Sequence, residues 1–228
     1  PDINFFYFSN ASGGLFDGGF LLLYPNGSSK LFTSGMEQEA AEKSKGDFEI
    51  FVYNSRDEKV RLLQEHIKGD NLGFSFSSIA YLEVEKLKEI FKGNLIDVTK
   101  EIMYTRAIKD RDEIKQIRKA SEITSKTFSR VPQMLEDGMT ETELSLKIEF
   151  DLRNNGASSL SYESIVAFGA NSSLPHYESA SSELKTGDFI LLDFAGKYNR
   201  YCSDMTRTFF FRSANQEQKT VYDTVLEA

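Results

Sequence analysis

Two aspartates eleven positions apart, Asp193 and Asp204, lie in the stretch LLDFAGKYNRYCSDMTRTF at residues 191–209, with a polar turn between them at Tyr198 and Asn199. A chain that folds back symmetrically about those two residues pairs position 193 with position 204. Their Cβ atoms then come to roughly 4.5–5.5 Å on one face of a hairpin. Two facing carboxylates destabilise a sheet unless one holds a proton or a cation lies between them. The spacing therefore predicts either a strongly raised pKa or a bound divalent metal. The alternation of the return strand favours the metal. Cys202, Asp204, Thr206 and Thr208 share one of its faces, which sets the Thr206 hydroxyl beside the acids as a group able to orient a ligand. A bulge of one residue would instead send the acids to opposite faces and leave two exposed side chains near a turn.

The same stretch resembles the metal-binding hairpin of the pita-bread metallopeptidases, the family of Xaa-Pro dipeptidase (prolidase), aminopeptidase P and methionine aminopeptidase. The first acid, the ten-residue gap, the second acid and the following Met-Thr-Arg-Thr fall where that family has them. The resemblance implies that Asp193 is a ligand to one of two divalent ions and that Asp204 bridges both. Oxygen-rich ligation favours manganese, cobalt or zinc over copper. A second segment, SIVAFGANSSLPHYES at 164–179, is similar to the family's strand and loop ending in Asn, Pro and His. That likeness makes His176 a catalytic, substrate-side hydrogen-bonding group and not a metal ligand. The implied activity is metal-assisted hydrolysis of the peptide bond before proline, with a proline-containing peptide as substrate. Creatinase-like relatives work on this fold without the aspartate pair, and methionine aminopeptidase has no comparable first domain.

The elements that must position these residues divide the chain near residue 105, into an α/β domain at 1–105 and the first half of an α+β pita-bread domain at 106–228. In the first part FLLLY and KLFTS flank the turn Pro25-Asn26-Gly27. A helical pattern near Met36 to Lys43, the strand FEIFVY, a charged helix from Arg56 to Lys68, GFSF, another helix and LIDVT follow. The second part opens with an amphipathic helix whose apolar stripe is Ile114, Ile117, Ala120, Ile123, Phe128 and Val131, bent or ended near Pro132. A further helix has Thr140 and Glu143 as its capping box and stops at Asn155-Gly156. Strands are expected at 164–168, 189–194 and 204–211, and a last helix near Gln216. The two-part layout resembles the proline-specific branch of the family, and YFSN at 7–10 resembles the early tyrosine motif of its creatinase-type amino-terminal domain, without that motif's usual Thr-Gly.

Charge and composition exclude several other classes. The formal net charge of -8 makes a nucleic-acid backbone an unfavourable partner. The longest apolar run, Phe20 to Tyr24, is too short to cross a bilayer, so a soluble cytoplasmic protein with no membrane partner is expected. The single cysteine, Cys202, reads as a half-buried strand residue and not a nucleophile. Gly13, Gly14, Gly18 and Gly19 lack the Gly-Lys-Ser/Thr of a phosphate loop and read as a mobile loop. His66, among Gln64, Glu65 and Lys68, reads as a solvated residue on a polar helix face.

In the family a histidine and two glutamates beyond the second aspartate complete the metal site. After Asp204 this chain offers only Glu217, Asp223 and Glu227, and no histidine. Pro1 leads almost directly into an aromatic run that reads as a strand, without the helix that opens such domains. The expectation is therefore an amino-terminal part of a Xaa-Pro peptidase, inactive as it stands, holding metal weakly or not at all and forming a homodimer as family members commonly do. The alternative is a non-catalytic binding or assembly module that keeps the fold.

Overall fold

A computed structural model describes residues 3–10, 19–44 and 46–228. They belong to two compact units, Pro1–Ile108 and Lys109–Ala228. Gly13, Gly14 and Gly18 lie outside the described residues.

The first unit opens with α1 (Ile3–Ser9), a helix where the aromatic run reads as a strand. Tertiary anchors override the strand propensity of Phe and Tyr here. The Tyr7 hydroxyl donates to the Thr105 carbonyl and Arg106 donates to Asn4 Oδ1. Asn10 ends the helix at φ 50°, its N–H returning to the Phe6 carbonyl.

β1 (Phe20–Leu23) and β2 (Ser29–Ser34) form an antiparallel hairpin, and β2 runs parallel to β3 (Glu49–Tyr53). Gly27, at φ 85°, takes the turn position that disfavours a side chain. A 3-10 turn (Gly35–Glu37) and α2 (Gln38–Glu42) make the crossover between the parallel strands. Then come α3 (Arg56–His66), β4 (Asn71–Phe74), α4 (Tyr81–Ile90), β5 (Asn94–Asp97) and α5 (Thr99–Ala107), with β4 parallel to β5. GFSF and LIDVT thus end as strands earlier than their sequences suggest, because Asp97 Oδ1 takes the N–H groups of Phe76 and Thr99 and turns both chains out of the ladder. His66 is not a solvated residue. Its ring packs against Phe51 at 4.3 Å and Phe32 at 5.4 Å, with Lys30 Nζ 3.2 Å from Nδ1. Burial and then the Lys30 charge hold its pKa below the usual imidazole value.

The second unit is α+β. α6 (Arg111–Met134) starts at a capping box of Asp110 and Glu113 and buries Ala120, Ile123, Thr124, Thr127 and Val131. Its stripe begins later than the spacing suggests, since Ile114 is exposed, and the helix ends at Met134, close to Pro132 as expected. α7 (Glu141–Asn154) has the expected Thr140–Glu143 box and stops at Asn155 and Gly156, the glycine at φ 105°. Six strands and a last helix follow: β6 (Ser159–Leu160), β7 (Ile165–Phe168), β8 (Phe189–Asp193), β9 (Gly196–Tyr198), β10 (Tyr201–Cys202), β11 (Thr206–Phe210) and α8 (Gln216–Glu227), with a 3-10 turn between β7 and β8. Two antiparallel sheets result, ordered β11-β8-β7 and β10-β9-β6, and one long hairpin runs through both. Leu144, Ile148 and Leu152 of α7 pack with Val131, Val166, Ile190, Leu192 and Phe194 in one core. Each fully buried aliphatic side chain there stabilises the unit by about 1.5–3 kcal/mol relative to exposure. Among the described residues no helix is long and apolar enough to cross a membrane.

Candidate metal centre

The hairpin that carries the two aspartates turns one residue later than its sequence suggests. Asn199 and Arg200 occupy the centre at φ 45° and 68°, and Tyr198 pairs with Tyr201. Two positive φ angles give a type I′ turn, the geometry that matches strand twist. The hairpin tip is held on α6, where Asn199 donates to Gln116 and the Tyr201 hydroxyl donates to Glu113. Every cross-strand pair therefore shifts by two positions. Asp193 faces Thr206, not Asp204. A shift of two leaves the face unchanged, so the acids become diagonal neighbours, at roughly the 7–8 Å typical of such pairs.

That wider separation holds a hydroxyl. Tyr162, in the loop between β6 and β7, donates to Asp193 Oδ1 and lies 2.9 Å from Asp204 Oδ1. Burial, and then hydrogen bonding to both carboxylates, push the phenol far above its ordinary pKa. It stays protonated, and its one proton cannot satisfy two acids at once. Buried hydroxyls hold the second acid's backbone in place. Gly196 N–H donates to Thr124 Oγ1, Thr124 meets Ser203 Oγ at 2.7 Å, and Ser203 donates to the Gly196 carbonyl. On either side of Tyr162, the buried Ser161 and Ser164 hydroxyls have no hydrogen-bond partner. Cys202, on the edge strand β10, is exposed and not half-buried.

His176 lies in an exposed part of the loop after the 3-10 turn Gly169–Ser173. Among the described residues no hydrogen bond joins it to the aspartates. Its loop is fixed from below by Glu141, which is fully buried at the start of α7. This carboxylate accepts from the N–H groups of Phe168 and Ala180, the Asn171 amide and the Tyr177 hydroxyl. The structure thus pairs Thr206 with Asp193, brings both aspartates to the Tyr162 hydroxyl and puts His176 on an exposed loop. It adds Tyr162 and Glu141, which sequence reasoning missed. Glu141 had a signal: it is in phase with Leu144, Ile148 and Leu152, an acid on an apolar stripe. Tyr162 had none, since its partners are 31 and 42 residues away.

Two convergent carboxylates sharing one proton fit one side of a hard divalent-metal site. Among the described residues no group of three His, Cys, Asp or Glu side chains could hold an ion by itself.

A mixed α/β unit precedes, along the chain, a sheet-and-helix unit that carries the aspartate hairpin, and each matches a known domain family. The Creatinase/Prolidase N-terminal domain matches residues 1–108 and Metallopeptidase family M24 matches residues 115–228. The chain belongs to the M24 metallopeptidases, as a creatinase-type amino-terminal domain followed by the first part of the pita-bread domain. It is 34% identical to a Xaa-Pro dipeptidase of Pyrococcus horikoshii over 99% of its own length and 62% of the relative's. An X-Pro aminopeptidase structure from Thermotoga maritima superposes with a TM-score of 0.90 at 28% identity, over 98% of this chain and 63% of that one. The prolidase of Pyrococcus furiosus gives a TM-score of 0.85 at 29% identity, over 98% and 64% of the two chains. The chain therefore spans less than two thirds of the length of these relatives.

Proposed function

We propose that this chain carries the front part of a Xaa-Pro metallopeptidase site, with Asp193 and Asp204 as its two aspartate ligands. The observation that supports it is their convergence on the Tyr162 hydroxyl. Two like charges held together in a folded protein are stabilised most simply by a cation. Manganese, cobalt or zinc bound there would supply Lewis-acid polarisation of a scissile carbonyl and activation of water. The chain's own residues do the rest. Tyr162 orients both carboxylates. Thr206, opposite Asp193, orients that carboxylate from the neighbouring strand. His176, on a loop pinned by Glu141, donates or accepts a hydrogen bond at the substrate. By itself the 228-residue chain binds metal weakly and does not hydrolyse peptides, since two carboxylates leave most coordination positions to water.

The test is hydrolysis of a proline-containing dipeptide, with and without added manganese, by the product of the whole reading frame. Asp204→Ala should lower kcat/KM by more than ~100-fold, as ligands matter at least as much as the groups that support them. Metal-independent cleavage, or full activity of Asp204→Ala, would sink this reading. A correctly folded, metal-loaded but inert product would favour a binding module on the same fold.

A further inference from the structure

In the first unit, β2 and β3 are parallel and end side by side at Ser34 and Tyr53. Open α/β sheets take ligands in the crevice beyond the carboxyl ends of such strands. Here that crevice is a cleft of about 640 Å³ reaching between α3 and α4, within the roughly 300–1,000 Å³ typical of small-molecule sites.

The cleft has a polar end and an apolar body. At the polar end Ser34 is 91% buried (9% exposed), and its hydroxyl is without a hydrogen-bond partner. A buried hydroxyl in that state costs stability unless a ligand answers it. The start of α3 lies at the same end. Ser55 Oγ accepts from the Glu58 N–H and the Glu58 carboxylate accepts from the Asn54 N–H. The Arg56 and Asp57 N–H groups belong to the first helical turn, which has no intrahelical acceptor for them. Arg56 and Lys59 add positive charge, and Lys59 Nζ sits over the Phe20 ring at 4.5 Å and the Tyr53 ring at 5.3 Å. The cleft's other charged groups are on α4, where Lys86 pairs with Glu83 and Glu89 also lines the cleft. Among the described residues Arg56 enters no ion pair. Val60 and Leu63 on α3, and Leu87 and Ile90 on α4, supply the apolar walls.

We propose that this cleft binds a small amphipathic anion, a carboxylate or phosphate head on an apolar body, with the head at Ser34 and the start of α3. The site lies wholly within the first unit and is independent of the peptidase reading.

The test titrates the 228-residue protein with phenyl phosphate, 3-phenylpropionate, the neutral 3-phenylpropanol and inorganic phosphate, followed by amide chemical shifts. At least one aromatic anion should bind saturably, with shifts confined to 34–36, 53–63 and 86–90, and the tighter of the two identifies the head group. The alcohol and inorganic phosphate should each bind about tenfold more weakly or worse. Arg56→Gln combined with Lys59→Gln should weaken the anion by a similar factor, and Val60→Trp should fill the cleft and abolish binding. The wild-type comparison of anion with alcohol needs no variant to fold. No saturable binding, equal binding of the alcohol, shifts outside the cleft, or unchanged affinity in folded variants would each overturn the proposal.

Discussion

Two carboxylate sites in the second unit differ in how completely the protein satisfies them. Glu141 is fully buried and receives four donors, two of them backbone N–H groups. Asp193 and Asp204 share one hydroxyl from Tyr162, and Asp204 is exposed. The first is a finished structural device: a buried acid is tolerated because its oxygens are filled, and in return it fixes β7 and the loop that carries His176. The second is unfinished. One proton cannot serve two acids, so the pair stays together with its charge largely unanswered. A carboxylate filled by the protein's own donors stabilises a fold, whereas a pair that shares one protein donor leaves room for the cation proposed above.

The contrast can be broken by substitution. Glu141→Ala strands four donors and should cost the most, about 3–5 kcal/mol, read as a lowered urea midpoint for the second unit. Faster amide exchange across 168–182 should accompany it. A loss under about 1 kcal/mol would show that Glu141 is no anchor. Tyr162→Phe should be milder, about 1–2 kcal/mol in the absence of metal, since it removes the donor and leaves two acids adjacent. Asp204→Asn should have the opposite sign. Relieving the like-charge contact should raise metal-free stability by about 0.2–1 kcal/mol. A loss comparable to that of Glu141→Ala would erase the distinction between the two sites.

The smallest effect concerns His66 in the first unit. Its folded pKa is lowered by burial and then by Lys30, against raising contributions from Glu65 and Glu49, with Lys68 lowering it further. The neutral ring is the form the fold prefers. Its contribution is present above the unfolded value near 6.5 and is lost as pH falls through the folded value. A His66→Gln variant should therefore show a shallower decline in melting temperature as pH drops from 7 to 5. Parallel profiles would mean that the stacked ring does not titrate with folding.

How much was legible in the sequence follows from how local each feature is. The capping box of Thr140 and Glu143 depends on residues three apart, and it forms; the last helix starts at Gln216 as expected. The strands at 165–168, 189–193 and 206–210 carry apolar residues that need no distant partner to be recognised. The hairpin was legible as a hairpin but not in its register, because nothing about Arg200 announces a φ of 68°. A turn centred one residue later moved Asp193 from Asp204 to Thr206. The common face survived only because the shift was by an even number. α1, the His66 stack and Tyr162 rest on contacts between distant residues, which no local pattern encodes, and of the Glu141 cluster only the acid on its apolar stripe is local.

The central claim is that Asp193 and Asp204 form one side of a divalent-metal site, and manganese titration followed by paramagnetic broadening tests it most directly. Two carboxylates alone predict weak binding, with a dissociation constant on the order of 10⁻⁴–10⁻³ M. Broadening should centre on Tyr162, Asp193 and Thr206 and disappear in both Asp193→Asn and Asp204→Asn. Broadening that persists in both folded variants, that centres elsewhere, or that never occurs at millimolar manganese would contradict the account.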